Sequence, residues 1–546
     1  MRKYTIWFVF VLFIFYLGLF SFHKIDLTTA DLGRHLTNGA IFLNPKIANT
    51  TRSTLLNTNF YSYTHPNYSF VNHHWGSGVL FFILFSFFGF NGLSLFYFFC
   101  IAGALILITL AVKDGTDTLT LILCAVFLIP LIADRAEVRP EGISYFFLAL
   151  FFFLLYRFSN EKTSWKYLFI LPVFELLWAN MHIYFIFGIY IIGIFLCETA
   201  IPIAVYFVKN LFKNKHISDC ARGNLLYEEY IRKQRKKIKK LGTIFILTSI
   251  VTLLNPYGLK AVIYPFTIFQ NYGYRIVENQ SIPFLESISF TSPSFLWYKI
   301  TLCLITISSV FIAVRIRKSF MFAPTILVFT FAVFGYMGIR HIATFSLFAL
   351  PLTALNLCTI KQSIKKNFSI DTKITIYGLL YVFVALITLL CFFTRLPWMR
   401  DFGLGLTTGN LDSVRFIQKH KLHGPIFNNY DIGGLAIFSL FPQEKVFVDN
   451  RPEAYPKEFF SNIYVQMQEN DTIWNAELKK ENFNMIYFYR LDYTPWAQAF
   501  LIKRIADSAW APVFVDKRTI IFLKRTPENK KTISTFELPK QIFSTK

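Results

Sequence analysis

The sequence predicts a polytopic α-helical membrane protein of about 11 transmembrane helices, with one in-plane juxtamembrane helix and a C-terminal extracytoplasmic α/β domain. Three observations carry this. Hydrophobic residues make up 54% of the 546-residue chain and aromatics 19%. Apolar runs recur at about 4–22, 77–90, 92–112, 118–133, 142–158, 166–179, 183–208, 241–254, 299–314, 319–338, 341–360 and 374–394. Beyond residue 395 the composition changes to amphipathic stretches alternating with short β-rich runs.

The first run follows Met1-Arg2-Lys3 and has no small-residue cleavage site after it, so it reads as a first span rather than a signal peptide. Orientation comes from charge. Residues 209–240 carry eleven Lys/Arg against three acids, and Arg315–Lys318 and Lys361–Lys366 are also basic. The positive-inside rule places these loops and the N-terminus in the cytoplasm. Twelve crossings would put the N-terminus and 209–240 on opposite sides. One run must therefore not cross, and the short, glycine-flanked 77–90 is assigned to an in-plane helix at the outer surface.

With that topology, residues 23–75 form a first outer loop, and 134–141, 180–182, 255–298, 339–341 and everything after 395 also lie outside. Residues 209–240 form a basic cytoplasmic loop. A spacer as long as 23–75 exceeds what a connection needs, which points to function. In the C-terminal part, strands are expected at 425–428, 445–449, 484–489, 512–516 and 519–523, and helices near 412–421, 455–470 and 495–509. The domain is bounded at 396–525, and the Lys/Thr/Ser-rich 526–546 reads as a loose tail.

The formal charge of +23 is spread through interhelical loops, which explains it without nucleic acid. The seven cysteines show neither CxxC nor Cys/His spacing, so neither a disulfide framework nor a zinc site is expected. Their absence from 23–75 and from the C-terminal domain fits a bacterial envelope protein.

The polar clusters of the membrane part fall on the outer side. Asp31 and His35 share a helical face with Arg34 beside it. Asp31 there either caps a helix or serves as a general base or cation ligand. His73-His74-Trp75 reads as an interfacial anchor, with too few ligands nearby for a metal. Asp134-Arg135-Ala136-Glu137-Val138-Arg139-Pro140-Glu141 holds five charges between two spans. Glu141 suits a helix first turn. Arg135 and Arg139 on an outer face suggest a phosphate ligand, with Glu137 beside them. Arg340-His341 either binds the same ligand or snorkels. Asn180 and His182, after Trp178, either contact a polar substrate or cap helix ends. The predicted topology puts Asp31, Arg139 and His182 around one outer cavity. In the C-terminal domain, Asn428–Gly434 reads as a turn, and Val448-Asp449-Asn450-Arg451-Pro452 puts charges at a strand end, where a binding role is expected.

These motifs resemble a bacterial family of GT-C-type polytopic membrane glycosyltransferases. The resemblance rests on Asp31…His35-Leu36…Gly39, Phe60-Tyr61-Ser62-Tyr63-Thr64, His74-Trp75, Arg139-Pro140-Glu141, Trp178-Ala179-Asn180…His182, Asn428-Asn429-Tyr430…Gly433-Gly434 and Asp449-Asn450-Arg451. It makes residues 1–395 a GT-C-like transmembrane domain. It implies transfer of a sugar, hexosyl or pentosyl, from a polyprenyl-phosphate carrier to a glycan, lipid or protein acceptor outside the cytoplasm, with inversion. It also implies a bacterial inner-membrane location with the site facing the periplasm or cell exterior. Asp31 matches the family's acidic catalytic position, and 77–90 its juxtamembrane helix. The chain departs from the family in having Asn59 where related sequences carry an acid, a role that Glu137, Glu141 or Glu278 would then take.

The expected substrate-binding set is Arg34, His35, His74, Arg135, Glu137, Arg139, Asn180, His182, Arg340 and His341, around catalytic Asp31. No metal ligands are assigned and no cofactor is named, though a divalent cation is compatible with the carboxylates. The expected partners are the lipid-linked donor, the acceptor and membrane lipids, and no nucleic acid. Two other readings are a transporter or flippase of lipid-linked glycans or small molecules, and a membrane scaffold without enzymatic activity.

Overall fold

The computed structural model describes residues 3–135, 137–211, 221–367 and 401–543. The expected last span, 374–394, lies outside the described residues. The apolar runs form helices because their residues bury backbone polar groups within each segment, as a hydrocarbon environment demands. The principal ones are α1 (Lys3–Ser21), α2 (Leu32–Leu43), α3 (Trp75–Val112), α4 (Thr118–Ile132), α5 (Glu141–Ser159), α6 (Ile170–Ala179), α7 (Ile186–Leu211), α8 (Ala221–Val251), α9 (Pro293–Arg315), α10 (Phe322–Met337) and α11 (Ile342–Asn367).

Five helical segments among the described residues are long and apolar enough to cross a membrane: Trp75–Val112, Glu141–Ser159, Ile183–Val208, Pro293–Arg315 and Ile339–Ile364. Three shorter apolar helices accompany them: Val9–Ser21, Thr118–Ile132 and Phe322–Met337. The chain is a multi-pass membrane protein. The expected span 166–179 is a 3₁₀ turn running into the ten-residue α6. Run 241–254 is the apolar end of α8, so much of the basic 209–240 segment is helix rather than loop. The charged turns of α8 extend the same hydrogen-bonded cylinder beyond its apolar end.

Runs 77–90 and 92–112 belong to one 38-residue stretch, α3, broken at Gly89. Gly89 has φ 60° and ψ −161°, a conformation that essentially only glycine adopts. Before the break Gly78 and Phe82 meet Gly39 of α2, and after it Tyr97 meets Gly142 of α5.

Helix α2 is seated by backbone proximity. A Cβ on Gly39 would lie 2.1 Å from the Gly78 carbonyl oxygen in α3, and one on Gly33 would lie 2.7 Å from the Gly434 carbonyl oxygen. Side-chain-free positions let the three backbones touch.

The C-terminal part forms a four-stranded sheet of β1 (Ile426–Asn428), β2 (Met485–Tyr489), β3 (Trp510–Val515) and β4 (Thr519–Lys524), in the order β1-β2-β4-β3. β1 pairs parallel to β2, and the other pairs are antiparallel. Helices α12 (Asp412–Lys419), α13 (Gly433–Leu440), α14 (Asp471–Glu481), α15 (Pro495–Ala506) and α16 (Lys530–Phe536) complete it. Aromatic packing of Phe427, Phe447, Trp474, Phe483, Phe488 and Phe500 forms its own core.

Two expectations are corrected here, the strand at 445–449 and the loose tail. The run 445–449 is not a strand of the sheet. Val446 instead exchanges backbone hydrogen bonds with the first outer loop, donating to Tyr61 O at 3.1 Å and accepting from Tyr63 N at 3.2 Å. The helix expected near 455–470 is present over 457–469, with a π-helical turn at Phe460–Tyr464 between Lys457–Phe459 and Gln466–Glu469. The described part of the 526–546 tail is not loose: α16 buries Ile533, and Phe536 packs edge-on against Phe416.

Candidate active site

Asp31 immediately precedes α2, yet its carboxylate makes no capping hydrogen bond. Its Oδ2 lies 3.3 Å from Arg34 Nη2 and 3.3 Å from His35 Nε2. Its Oδ1 is buried and has no hydrogen-bond partner among the described residues. Burial opposes ionisation, but His35, Arg139 and Arg34 outweigh it and hold the carboxyl well below its usual range. Asp31 is thus an ionised carboxylate with one free oxygen.

Arg34 is also buried and reaches the C-terminal part, donating from Nε to Asn450 Oδ1 at 3.3 Å. That segment is fixed by a second buried group. Arg451 donates to Asp449 at 2.6–2.7 Å and to Asn59 Oδ1 at 2.6 Å. Asn59, which stands where the resemblance expects an acid, is therefore a neutral acceptor tying the first loop to the C-terminal domain.

Beside Asp31 lies an ion-pair cluster that joins three outer segments. Arg135 contacts Glu141 at 3.0 Å and Glu278 at 2.8 Å. Arg139 contacts Glu137 at 2.7 Å and Glu278 at 2.9 Å. Arg340 pairs with Glu141 and donates to Asn279 Oδ1 at 3.0 Å. Burial opposes the ionisation of Glu278, but Arg135, Arg139 and Arg340 more than compensate and keep it low. The cluster has a physical cause: none of these charges is stable alone in a half-buried site, so each is paired.

A cavity of about 230 Å³ opens among these groups. Asp31, Arg34, His74, Arg139, His182, Arg340 and His341 all line it. The charge-derived grouping of Asp31, Arg139 and His182 thus corresponds to one physical space. His35 is fully buried behind Asp31 and supports it. Arg135 and Glu137 line a second cavity of about 630 Å³, which Arg340 also borders.

Of the two readings of Asn180, its described contacts match the helix-end tie. It lies outside the cavity lining, and its Nδ2 donates to Leu176 O at 2.9 Å and Leu254 O at 3.1 Å. A backbone end left by α6 needs such partners, and the side chain supplies them.

The expected substrate-binding set left out several lining residues, His73, Tyr184, Tyr272, Asn279, Asn450 and Glu453, while Glu278 entered only as a stand-in for the acid missing at Asn59. Asn450 stood at the strand end where a binding role was expected. Nothing in the sequence marks Tyr184 or Tyr272. Glu453 presents a buried, unpartnered Oε2, and burial raises its carboxyl above the usual range.

The imidazoles form a chain. His74 packs edge-on to His35 with ring centroids 5.2 Å apart, and it stacks with His182 at 5.3 Å. Burial pushes His74 and His182 well below the ordinary imidazole value and His73 down to about 3, so all three are neutral near pH 7.

Among the described residues, no three His, Cys, Asp or Glu side chains converge as cation ligands would. Asp31 Oδ2 is shared by Arg34 and His35, and Glu141 and Glu278 serve three arginines. As arranged, this donor set does not form a cation cage.

No protein-family model matches the chain, and no curated protein matches it by sequence. Solved structures do. The archaeal oligosaccharyltransferase AglB from Archaeoglobus fulgidus, in complex with an inhibitory peptide and a dolichol-phosphate, aligns with a TM-score of 0.55 at 11% identity. That alignment covers 94% of this chain and 73% of the other. The Archaeoglobus fulgidus oligosaccharyltransferase tethered to an acceptor peptide aligns with a TM-score of 0.58 at 12% identity, covering 96% and 75%. Its complex with zinc and sulfate aligns at 0.51 and 11%, covering 94% and 73%. At such identities the likeness concerns the backbone: the chain has the GT-C-type fold of the AglB oligosaccharyltransferases.

Proposed function

We propose that the protein is a membrane glycosyltransferase that moves a sugar, hexosyl or pentosyl, from a polyprenyl-phosphate carrier to a glycan, lipid or protein acceptor outside the cytoplasm. The observation that carries this reading is the pairing, in one cavity, of an ionised carboxylate bearing a free oxygen with arginines. Asp31 Oδ1 receives the proton of the acceptor hydroxyl as its oxygen attacks the anomeric carbon. The bond from that carbon to the phosphate oxygen breaks, and its electron pair leaves with the lipid phosphate. Arg34, Arg139 and Arg340 offer N–H groups to the developing negative charge. Attack opposite the leaving group inverts the anomeric centre. No step is routed through a cation.

The fold neighbours support the class of donor and acceptor, since one is bound to a dolichol-phosphate and another to an acceptor peptide. We place the protein in a bacterial inner membrane, with the cavity and the C-terminal domain facing outward and 77–90 lying in the membrane plane. The transport reading draws on Glu175, a fully buried carboxyl in α6 with neither oxygen partnered. It leaves the paired charges at the helix ends unused, and the scaffold reading leaves the cavity unused. The test is a transfer assay on the purified full-length protein with polyprenyl-phosphate sugars, comparing wild type with Asp31→Asn. Equal turnover by the two proteins would remove Asp31 from the reaction.

A further inference from the structure

Behind the cavity wall runs a buried hydrogen-bond chain that the proposed reaction leaves unexplained. Trp178 Nε1 donates to Ser144 Oγ at 2.8 Å, and Ser144 Oγ lies 2.8 Å from His182 Nδ1. Trp178 and Ser144 are completely buried, and His182 is 1% exposed. The chain crosses elements: Ser144 is on α5, one turn past Glu141, and Trp178 is on α6. His182 begins the next turn in an extended conformation, φ −158° and ψ 143°.

The protons in this chain can be assigned. An indole N–H only donates, so Ser144 Oγ is an acceptor toward Trp178. A hydroxyl carries one proton, and His182 Nδ1 is the single acceptor within reach of it among the described residues. Ser144 therefore donates to Nδ1, and the imidazole proton sits on Nε2. The alternative tautomer would aim Nδ1–H and Trp178 N–H at the same oxygen and strand the buried hydroxyl proton without an acceptor, which is costly. A doubly protonated ring meets the same obstacle. Among the described residues His182 Nε2 has no hydrogen-bond partner, and the residue lines the cavity with Asp31 and Arg139.

We propose that Ser144 and Trp178 are positioning residues that lock His182 as the neutral Nε2–H tautomer, and that this N–H grips an acceptor oxygen of the lipid-phosphate sugar. The second half rests on the reaction proposed above; the first half does not. Where the arginines bring charge, this donor brings direction, because its proton cannot change sides while the ring holds its place.

The experiment has two arms, both on the full chain in detergent. In the first, the protein is labelled with ¹⁵N-histidine and the His182 resonance is assigned by its loss in His182→Gln. Wild type is expected to show a neutral ring protonated on Nε2 at pH 7, and Ser144→Ala a shift toward mixed tautomers, with Ser144→Thr restoring the wild-type signal. An Nδ1-protonated ring in wild type, or no change in Ser144→Ala, would overturn the lock whether or not transfer is ever observed.

In the second arm, a double-mutant cycle is run on transfer. Ser144→Ala is expected to lower kcat/KM about 3- to 10-fold, the usual worth of one hydrogen bond. It should cost nothing further in His182→Gln, because glutamine presents an amide N–H where Nε2–H stood. Equal losses in both backgrounds would show that Ser144 acts on packing alone. A locked tautomer without transfer from any lipid-phosphate sugar would refute the proposed reaction and the substrate role of His182, and leave the lock standing.

Discussion

Arg451 donates to Asn59 Oδ1 at 2.6 Å, joining residues that lie 392 positions apart. The same guanidinium holds Asp449, which is fully buried, through two further hydrogen bonds. Removing it leaves a buried carboxylate uncompensated. Arg451→Ala is therefore expected to lose about 3–5 kcal/mol of stability, read as a large drop in the thermal unfolding midpoint in detergent. A midpoint within about 2 °C of wild type would mean that the pair is not structural.

For Asp31→Asn, a loss of about 10²–10⁴-fold in transfer rate is expected, the usual cost of removing a general base. The amide keeps size and hydrogen bonding. Insertion and gel-filtration behaviour should match wild type, and donor binding should largely survive on the arginines.

Arg139→Ala should do the reverse. Its guanidinium lines the cavity and faces Glu278. Donor KM should rise by at least about tenfold, consistent with a charge-assisted contact of roughly 1.5–3 kcal/mol. A fall in kcat with donor KM unchanged would place Arg139 at the transition state instead.

Acid should destabilise the protein through its histidines. His73 is held down to about 3 by burial, so below the unfolded imidazole value of about 6.5 the unfolded chain binds the extra proton and the folded chain does not. Stability then falls as pH drops from about 6.5 toward 3. Asp31 adds no slope between pH 7 and 5: its carboxyl lies well below the usual range, so its contribution to stability begins to fall only below the unfolded carboxyl value of about 3.9 and is lost as the pH passes through its lower folded value. Thermal unfolding between pH 7 and 5 should show the slope, and His73→Phe should reduce it.

The orientation is open to chemical labelling. Gly115→Cys and Asn160→Cys, in a cysteine-free background, should resist an impermeant thiol reagent applied from outside and react after permeabilisation. Labelling of both from outside would reverse the topology.

The membrane helices were legible because hydropathy is a local property of the sequence. The site was partly legible for the same reason. Asp31, Arg139 and His182 each break an apolar context, and charge placed them on one face. What the sequence hides is which partner a group takes across the fold. Lys445–Asp449 has strand composition, but its backbone partners are Tyr61 and Tyr63, nearly four hundred positions away. Asn180 reads equally as a ligand or a cap, and its contacts with the carbonyls of Leu176 and Leu254 are visible only in the fold. Tyr184 and Tyr272 reach the cavity from apolar surroundings that resemble any membrane-interface aromatic.

The glycine contacts around α2 constrain how the cavity admits anything. Where Gly33 meets Gly434 and Gly39 meets Gly78, there is no rotamer to turn aside and no methyl group to compress. The helix that follows Asp31 is wedged between two backbones, so the carboxylate moves only if the C-terminal domain moves with it. Another part of the lining is built differently, from Phe266, Phe269, Tyr272 and Ile276, on a short helix, a 3₁₀ turn and the loop after it. Such a wall can yield by side-chain rotation alone. The Asp31 side of the cavity is therefore fixed by backbone contact, and the aromatic side is free to adjust.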